Sequence, residues 1–198
     1  MTVSDSKKLF HEQFPYVIPG LYKRIIDEML VELNLLKHQN EFFQDDLFCV
    51  GLTETFKELT KGYEPEAHLA LLFESLCNAT NFEGKQIKEI SEESQKEFKD
   101  KSSKDLLKLL KEKNNSNLYP SRILNLGMYI LISNCQDLEG ENESEMNKII
   151  SKIFEELKLS TTKAEKDIGI YKSSISKMEQ AKELIEELRI KDKKKVQK

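Results

Sequence analysis

The sequence predicts an all-α protein: a single multi-helix bundle with a long, partly protruding C-terminal helix. Three observations carry that reading. Apolar residues recur at Leu21, Tyr22, Ile25, Ile26, Met29, Leu30, Leu33 and Leu36, the three-and-four spacing of one helix face. The 198 residues include only seven Gly and four Pro, while Leu, Glu and Lys abound, a composition suited to long helices rather than a turn-rich sandwich or barrel. Near the end, Ala164, Ile168, Tyr171, Ile175 and Met178 step by four and three, and Ala181, Leu184, Ile185 and Leu188 continue the stripe.

Taken in order, the first helix is expected over about residues 5–14, capped by Ser4 and ended by Pro15. Pro19-Gly20 turns the chain into the helix of 19–36, where Val31 and Leu35 widen the oily stripe. That width predicts a central helix with neighbours on more than one side. Asp45 can cap a third helix carrying Leu47, Phe48, Leu52, Phe56 and Leu59, stopped by Gly62, and Pro65 opens the helix of 66–78 with Leu69, Leu72, Phe73 and Leu76 inward.

Over 82–117 the signal thins, because charged and hydroxyl residues separate Ile87, Ile90 and Phe98. Leu106, Leu107, Leu109 and Leu110 then restore a short helix capped by Ser102 or Ser103. Pro120-Ser121 begins a helix towards Cys135, an acidic loop surrounds Gly140, and Met146, Ile149, Ile150, Ile153, Phe154 and Leu157 mark the next. Roughly eight helices thus precede a last one, capped by Ser160 or Thr162 with Glu165. If 161–191 is one helix it spans roughly 45 Å, against about 40 Å for the diameter of the remainder. The expected organisation is a body of residues 1–159 and a long helix of 160–198 whose far end projects.

Charge and motif content exclude several functions. The net charge of −4 is spread over a chain one-third charged, with no basic footprint for nucleic acid. Only the end is biased, where Lys191, Lys193, Lys194, Lys195 and Lys198 crowd together as a solubilising tail that an anionic lipid surface could attract. Cys49, Cys77 and Cys135 lie in apolar helical contexts and read as free thiols of a reducing compartment. No apolar run is long enough to cross a bilayer.

His11-Glu12 fails as a zinc-protease helix because Pro15 stands where the second ligand belongs, and the positions three before His11, His38 and His68 are Lys8, Leu35 and Pro65, not the Glu of a di-iron bundle. Gly84-Lys85 lacks the glycine and hydroxyl of a phosphate loop, with Ala79 and Gln86 in their places. Catalytic, cofactor and metal residues are accordingly assigned to none. Arg24, Asp27, Glu28 and Glu32 form the polar group that interrupts the oily helix, with Arg24–Glu28 and Lys23–Asp27 one turn apart as surface pairs. Gly51 and Gly127 fall inside helical patterns, where glycine costs about 1 kcal/mol relative to alanine. Close approach of two helix backbones is the expected benefit, and a ligand cleft the sharper alternative.

Thr2-Val3-Ser4-Asp5-Ser6-Lys7, Phe14-Pro15, Ile18-Pro19-Gly20-Leu21-Tyr22-Lys23-Arg24, Asp27-Glu28-Met29-Leu30-Val31-Glu32-Leu33 and Asp46-Leu47-Phe48 closely resemble the thylakoid formation protein family, also known as a photosystem II accessory factor. Gly62-Tyr63-Glu64-Pro65, Ser75-Leu76-Cys77, Gly127 and the stretch from Lys166-Asp167-Ile168 to Tyr171 extend the likeness over most of the chain, with 82–117 the least matched. The resemblance implies an all-helical protein without enzymatic activity or cofactor, which supports photosystem II biogenesis and repair by associating with FtsH-type thylakoid proteases. It implies a cyanobacterial or plastid source. The Lys- and Asn-rich chain, opening at Met1 without a transit peptide, favours a cyanobacterial protein peripheral to the cytoplasmic face of the thylakoid membrane.

On that basis Ile168, Tyr171, Ile175, Met178 and Leu188 are expected to offer an apolar strip to a membrane-protease partner. The competing use of the strip is packing back on the body, favoured for its proximal half. Two other functional classes stay open: a small-molecule binder or enzyme with a cleft beside Asp27 or Gly127, and a homodimer through a C-terminal coiled coil.

Overall fold

The computed structural model describes residues 1–114 and 118–196, with nine α-helices and no strand among them. Helix α1 (Val3–Gln13) starts two residues earlier than Ser4 suggests. Thr2 is its cap: the Asp5 N–H donates to the Thr2 hydroxyl at 3.2 Å while the Thr2 N–H donates to the Asp5 carboxylate at 2.8 Å, a reciprocal capping box. Helix α2 (Gly20–Lys37) follows Pro19, and α3 (Asp46–Leu59) is capped by Asp45, whose Oδ1 accepts from the Phe48 N–H at 2.7 Å. Gly62, at φ +77°, turns the chain away from the end of α3 in a conformation only glycine adopts without strain.

After Pro65 the chain makes a single 3-10 turn before α4 (Leu69–Asn78), which buries Leu72, Phe73 and Leu76. Helix α5 (Gly84–Phe98) occupies the stretch where the apolar signal fades. Its inner face is built from Gly84, Ile87, Ser91 and Ser94, all buried, because small residues let it lie close to its neighbours where bulky ones would not fit. Helix α6 (Ser103–Asn114) is capped by Ser102 and α7 (Arg122–Ser133) by Ser121. Helix α8 (Glu143–Glu156) leads to α9 (Thr161–Val196), whose first turn is capped by Ser160, not Thr162.

The centre of the bundle is α3, and this corrects the expectation for α2. One side of α3 (Phe48, Cys49, Leu52, Phe56) joins α1, α2 and α4, and the other (Leu47, Val50, Leu59) joins α6 to α9. Helix α2 buries a single face, leaving Leu35 55% exposed and Val31 half-buried. The hub role needs backbone contact more than oily girth, and α3 supplies it through Gly51. Methyl groups built at Gly51 and Gly127 would collide with the carbonyl oxygens of Ile123 and Leu47 respectively, so α3 and α7 cross backbone on backbone. No cleft opens at Gly127, which removes that half of the ligand-site alternative.

The division of the chain at residue 160 falls inside a shared core. Ala164, Ile168 and Tyr171 of α9 are buried with α7 and α8, and Met178 is buried with the cluster of α1 to α4. Ile168 and Met178 each contribute about 1.5–3 kcal/mol by leaving water. From Glu183 to Leu188 every side chain is exposed, so α9, about 54 Å long, runs on beyond its seat. Side chains of the lysine-rich end beyond Lys191 lie outside the described residues.

Candidate functional site

The four polar residues of α2 divide into three situations. Arg24 Nε donates to Glu28 Oε1 at 2.8 Å on open surface, as the spacing predicts. Asp27 faces Lys7 of α1 at 3.6 Å instead of Lys23. Glu32 points inward, where Arg122 at the start of α7 grips it through Nε, 3.0 Å from Oε2, and through Nη2. Burial pushes the Glu32 carboxyl above the ordinary glutamate range; Arg122 opposes that shift, while the negative charges of Asp167 and Glu28 add to it. This half-buried pair contributes little net stability but joins α2 to α7.

Behind the Glu32–Arg122 pair is an interior cavity of about 60 Å³ where α2, α3, α7 and α9 meet, lined also by Thr55, Asp167 and Tyr171. Asp167 is buried and accepts a hydrogen bond from Asn125 Nδ2 at 2.8 Å, joining α9 to α7. Thr55 Oγ1 is buried without a hydrogen-bond partner among the described residues. In front of the pair lies an open groove of about 840 Å³ over α2, with Asp27 and Leu35 on its wall and Glu28, Glu32 and Arg122 shared with the cavity behind. The groove runs beside Asp27. Arg122, Asn125 and Asp167 were not singled out in the sequence, although Asn125 between Leu124 and Leu126 is a polar residue inside an apolar helix, the one available signal.

The predicted partner strip is split by the fold. Ile168, Tyr171 and Met178 are buried and Ile175 is half-buried against the α6–α9 core, so these four serve packing. Leu188 is 52% exposed, together with Leu184 at 58% and Ile185 at 40%, and these three make one apolar face on the overhanging part of α9. Among the described side chains the face covers about two turns, against the three or four heptads of a coiled coil.

Elsewhere the chemistry is quiet. Burial pushes the thiols of Cys49 and Cys77 up to about 12 and that of Cys135 up to about 11, so none is a nucleophile at neutral pH. A wider cleft of about 1160 Å³ runs over Phe56 and Phe73, its rim mixing Lys88 and Lys96 with Glu66 and Glu92 and so favouring neither sign of charge. Among the described residues no group of three or more His, Cys, Asp or Glu side chains is placed to hold a metal, and no helix is long and apolar enough to cross a membrane.

Compared with known proteins, the chain matches the family described as Thylakoid formation protein over residues 2–198. It is 80% identical over 195 residues to Protein Thf1 of Prochlorococcus marinus (strain MIT 9312), covering 98% of this chain and 97% of that one. To Protein Thf1 of Parasynechococcus marenigrum (strain WH8102) it is 36% identical over 198 residues, covering 100% and 92%. A solved structure of Psb29 superposes with a TM-score of 0.88 at 26% identity, covering the whole of both chains.

Proposed function

This chain belongs to the thylakoid formation protein family, and from that premise we propose that it is a non-enzymatic accessory factor. It supports photosystem II biogenesis and repair by associating with an FtsH-type membrane protease, peripherally to the thylakoid membrane and from its cytoplasmic face. The relatives in Prochlorococcus marinus support a cyanobacterial setting for that role. One observation carries the mode of action: a helical body holds the first half of α9 in its core and presents Leu184, Ile185 and Leu188 to the outside. Apolar residues on a helix face are the means by which a helix enters a partner's groove. Leu188 is the member of the sequence-derived strip that keeps this role. Ile168, Tyr171, Ile175 and Met178 act indirectly, by seating the helix.

The test is co-purification from solubilised thylakoid membranes with the protein lacking residues 183–198, which spares every buried residue of α9. The full chain is expected to bring down the protease subunits and the shortened one to lose them, with both keeping the same unfolding temperature. Equal recovery with both proteins rules out this face as the contact. A solution mass twice that of the monomer, lost on shortening, replaces the reading with self-association.

A further inference from the structure

Where α2, α3, α7 and α9 meet, one guanidinium lines the same cavity as three carboxylates and bonds one of them. Arg122 grips Glu32 of α2, yet it also lines the small cavity into which Asp167 of α9 faces, and Glu28 completes the lining on the α2 side. Glu28 already has Arg24 on the outer surface, whereas Asp167 has one neutral donor, the Asn125 amide. The cavity of about 60 Å³ gives a side chain room to turn, and the unpartnered, buried Thr55 hydroxyl on its far wall is free to bond whichever group comes. Other ionisable groups near this junction are Tyr171 of α9, itself held up by burial to about 12, Glu54 and Glu58 of α3 and Tyr129 of α7, which act on Tyr171, and on the groove side Lys7, Lys23, Asp27 and Tyr119.

We propose that Arg122 is a two-position latch: it holds Glu32 while that carboxyl is charged and turns to Asp167 when Glu32 takes up a proton, so that acidification tightens the seat of α9. The direction agrees with Glu32's environment. Because burial favours the neutral form of Glu32 in the folded protein, the stability linked to this group is fully present below the unfolded glutamate value and is lost as pH rises through the raised folded one. A proton therefore relieves the burial cost and releases the guanidinium at the same moment. The element biased is α9, the helix that carries the exposed Leu184–Ile185–Leu188 face. The inference does not depend on what binds there.

Amide hydrogen exchange of the full-length protein tests it, followed at residues 164–178 between about pH 5 and about pH 8 and corrected for intrinsic exchange. The expected result is protection of these amides rising towards the acid end, the direction set by Glu32's burial. Glu32→Gln should give the acid-side protection at both pH values, and Asp167→Asn should abolish the dependence. Asp45 titrates at the start of α3 with an effect of the same sign, so every comparison, wild type included, is repeated with Asp45→Asn present, and the pH dependence that survives is the one read. Protection independent of pH in the wild type overturns the latch, as does a pH dependence unchanged in Glu32→Gln. If either variant fails to fold, the side-chain Nε resonance of Arg122 in the wild type decides. It must shift with the same midpoint as the Glu32 carboxyl, and an unmoved resonance overturns the proposal.

Discussion

The α3–α7 crossing and the outer part of α9 are opposite solutions for a helix surface. At the crossing, Gly51 and Gly127 bring main chains together so tightly that no methyl group fits, and apolar side chains from both core clusters close around the contact. On outer α9, Leu184, Ile185 and Leu188 stand exposed on the helix. The first surface is spent wholly on internal packing, where interiors tolerate no change in volume. The second contributes nothing to folding, which is the condition a surface must meet if its apolar residues are to serve a partner.

The contrast is broken most sharply by adding one carbon at the crossing. Gly51→Ala or Gly127→Ala meets backbone that no rotamer change can clear, so the expected loss is about 3 kcal/mol or more, with a fall of about 10 °C in unfolding temperature measured by calorimetry. Wild-type stability in either variant would mean that α3 and α7 do not touch as described. Next in size is Arg122→Ala, which leaves the half-buried Glu32 carboxylate without its cation and should cost about 2 kcal/mol in urea unfolding. The double variant Glu32→Leu with Arg122→Met should recover most of that loss, since apolar residues of similar size replace such pairs at little cost.

An effect dependent on pH belongs to Asp45. Burial pushes its carboxyl up to about 6 in spite of the hydrogen bonds from the start of α3. Its contribution to stability is greatest below the ordinary aspartate value of about 4 and falls as pH rises through about 6, a change on the order of 2 kcal/mol. Asp45→Asn keeps a capping oxygen and should flatten that part of the stability profile, as followed by denaturant midpoints across the range. Least of all, Leu184→Ser combined with Leu188→Ser should alter stability by under about 0.5 kcal/mol. The same pair should abolish protease co-purification, which separates the outer face from the crossing by function as clearly as by energy.

Which helices would form was legible along most of the chain, because large apolar residues at helical spacing mark α2, α3, α4, α7 and α8 without reference to anything distant. Helix α5 escaped that signal. Its buried face includes Gly84, Ser91 and Ser94, residues that read as surface or loop until a close neighbour makes their small size an advantage. The candidate site was legible by halves. Arg24–Glu28 is a local pair and sequence spacing suffices to find it, whereas Glu32 meets Arg122 from 90 positions away and Asn125 meets Asp167 from 42.

By itself the sequence determined the helical class, Asp45 as a cap, Pro120-Ser121 as a helix start, and the presence of an apolar stripe along α9, since propensity, capping and periodicity act within a few residues. The tertiary structure alone decided which helix is the hub, which carboxylate is buried, and where along α9 that stripe stops being core. The reason is physical: exposure is a property of neighbours, and Tyr171 and Leu188 share one stripe in the sequence but differ in what the fold places against them.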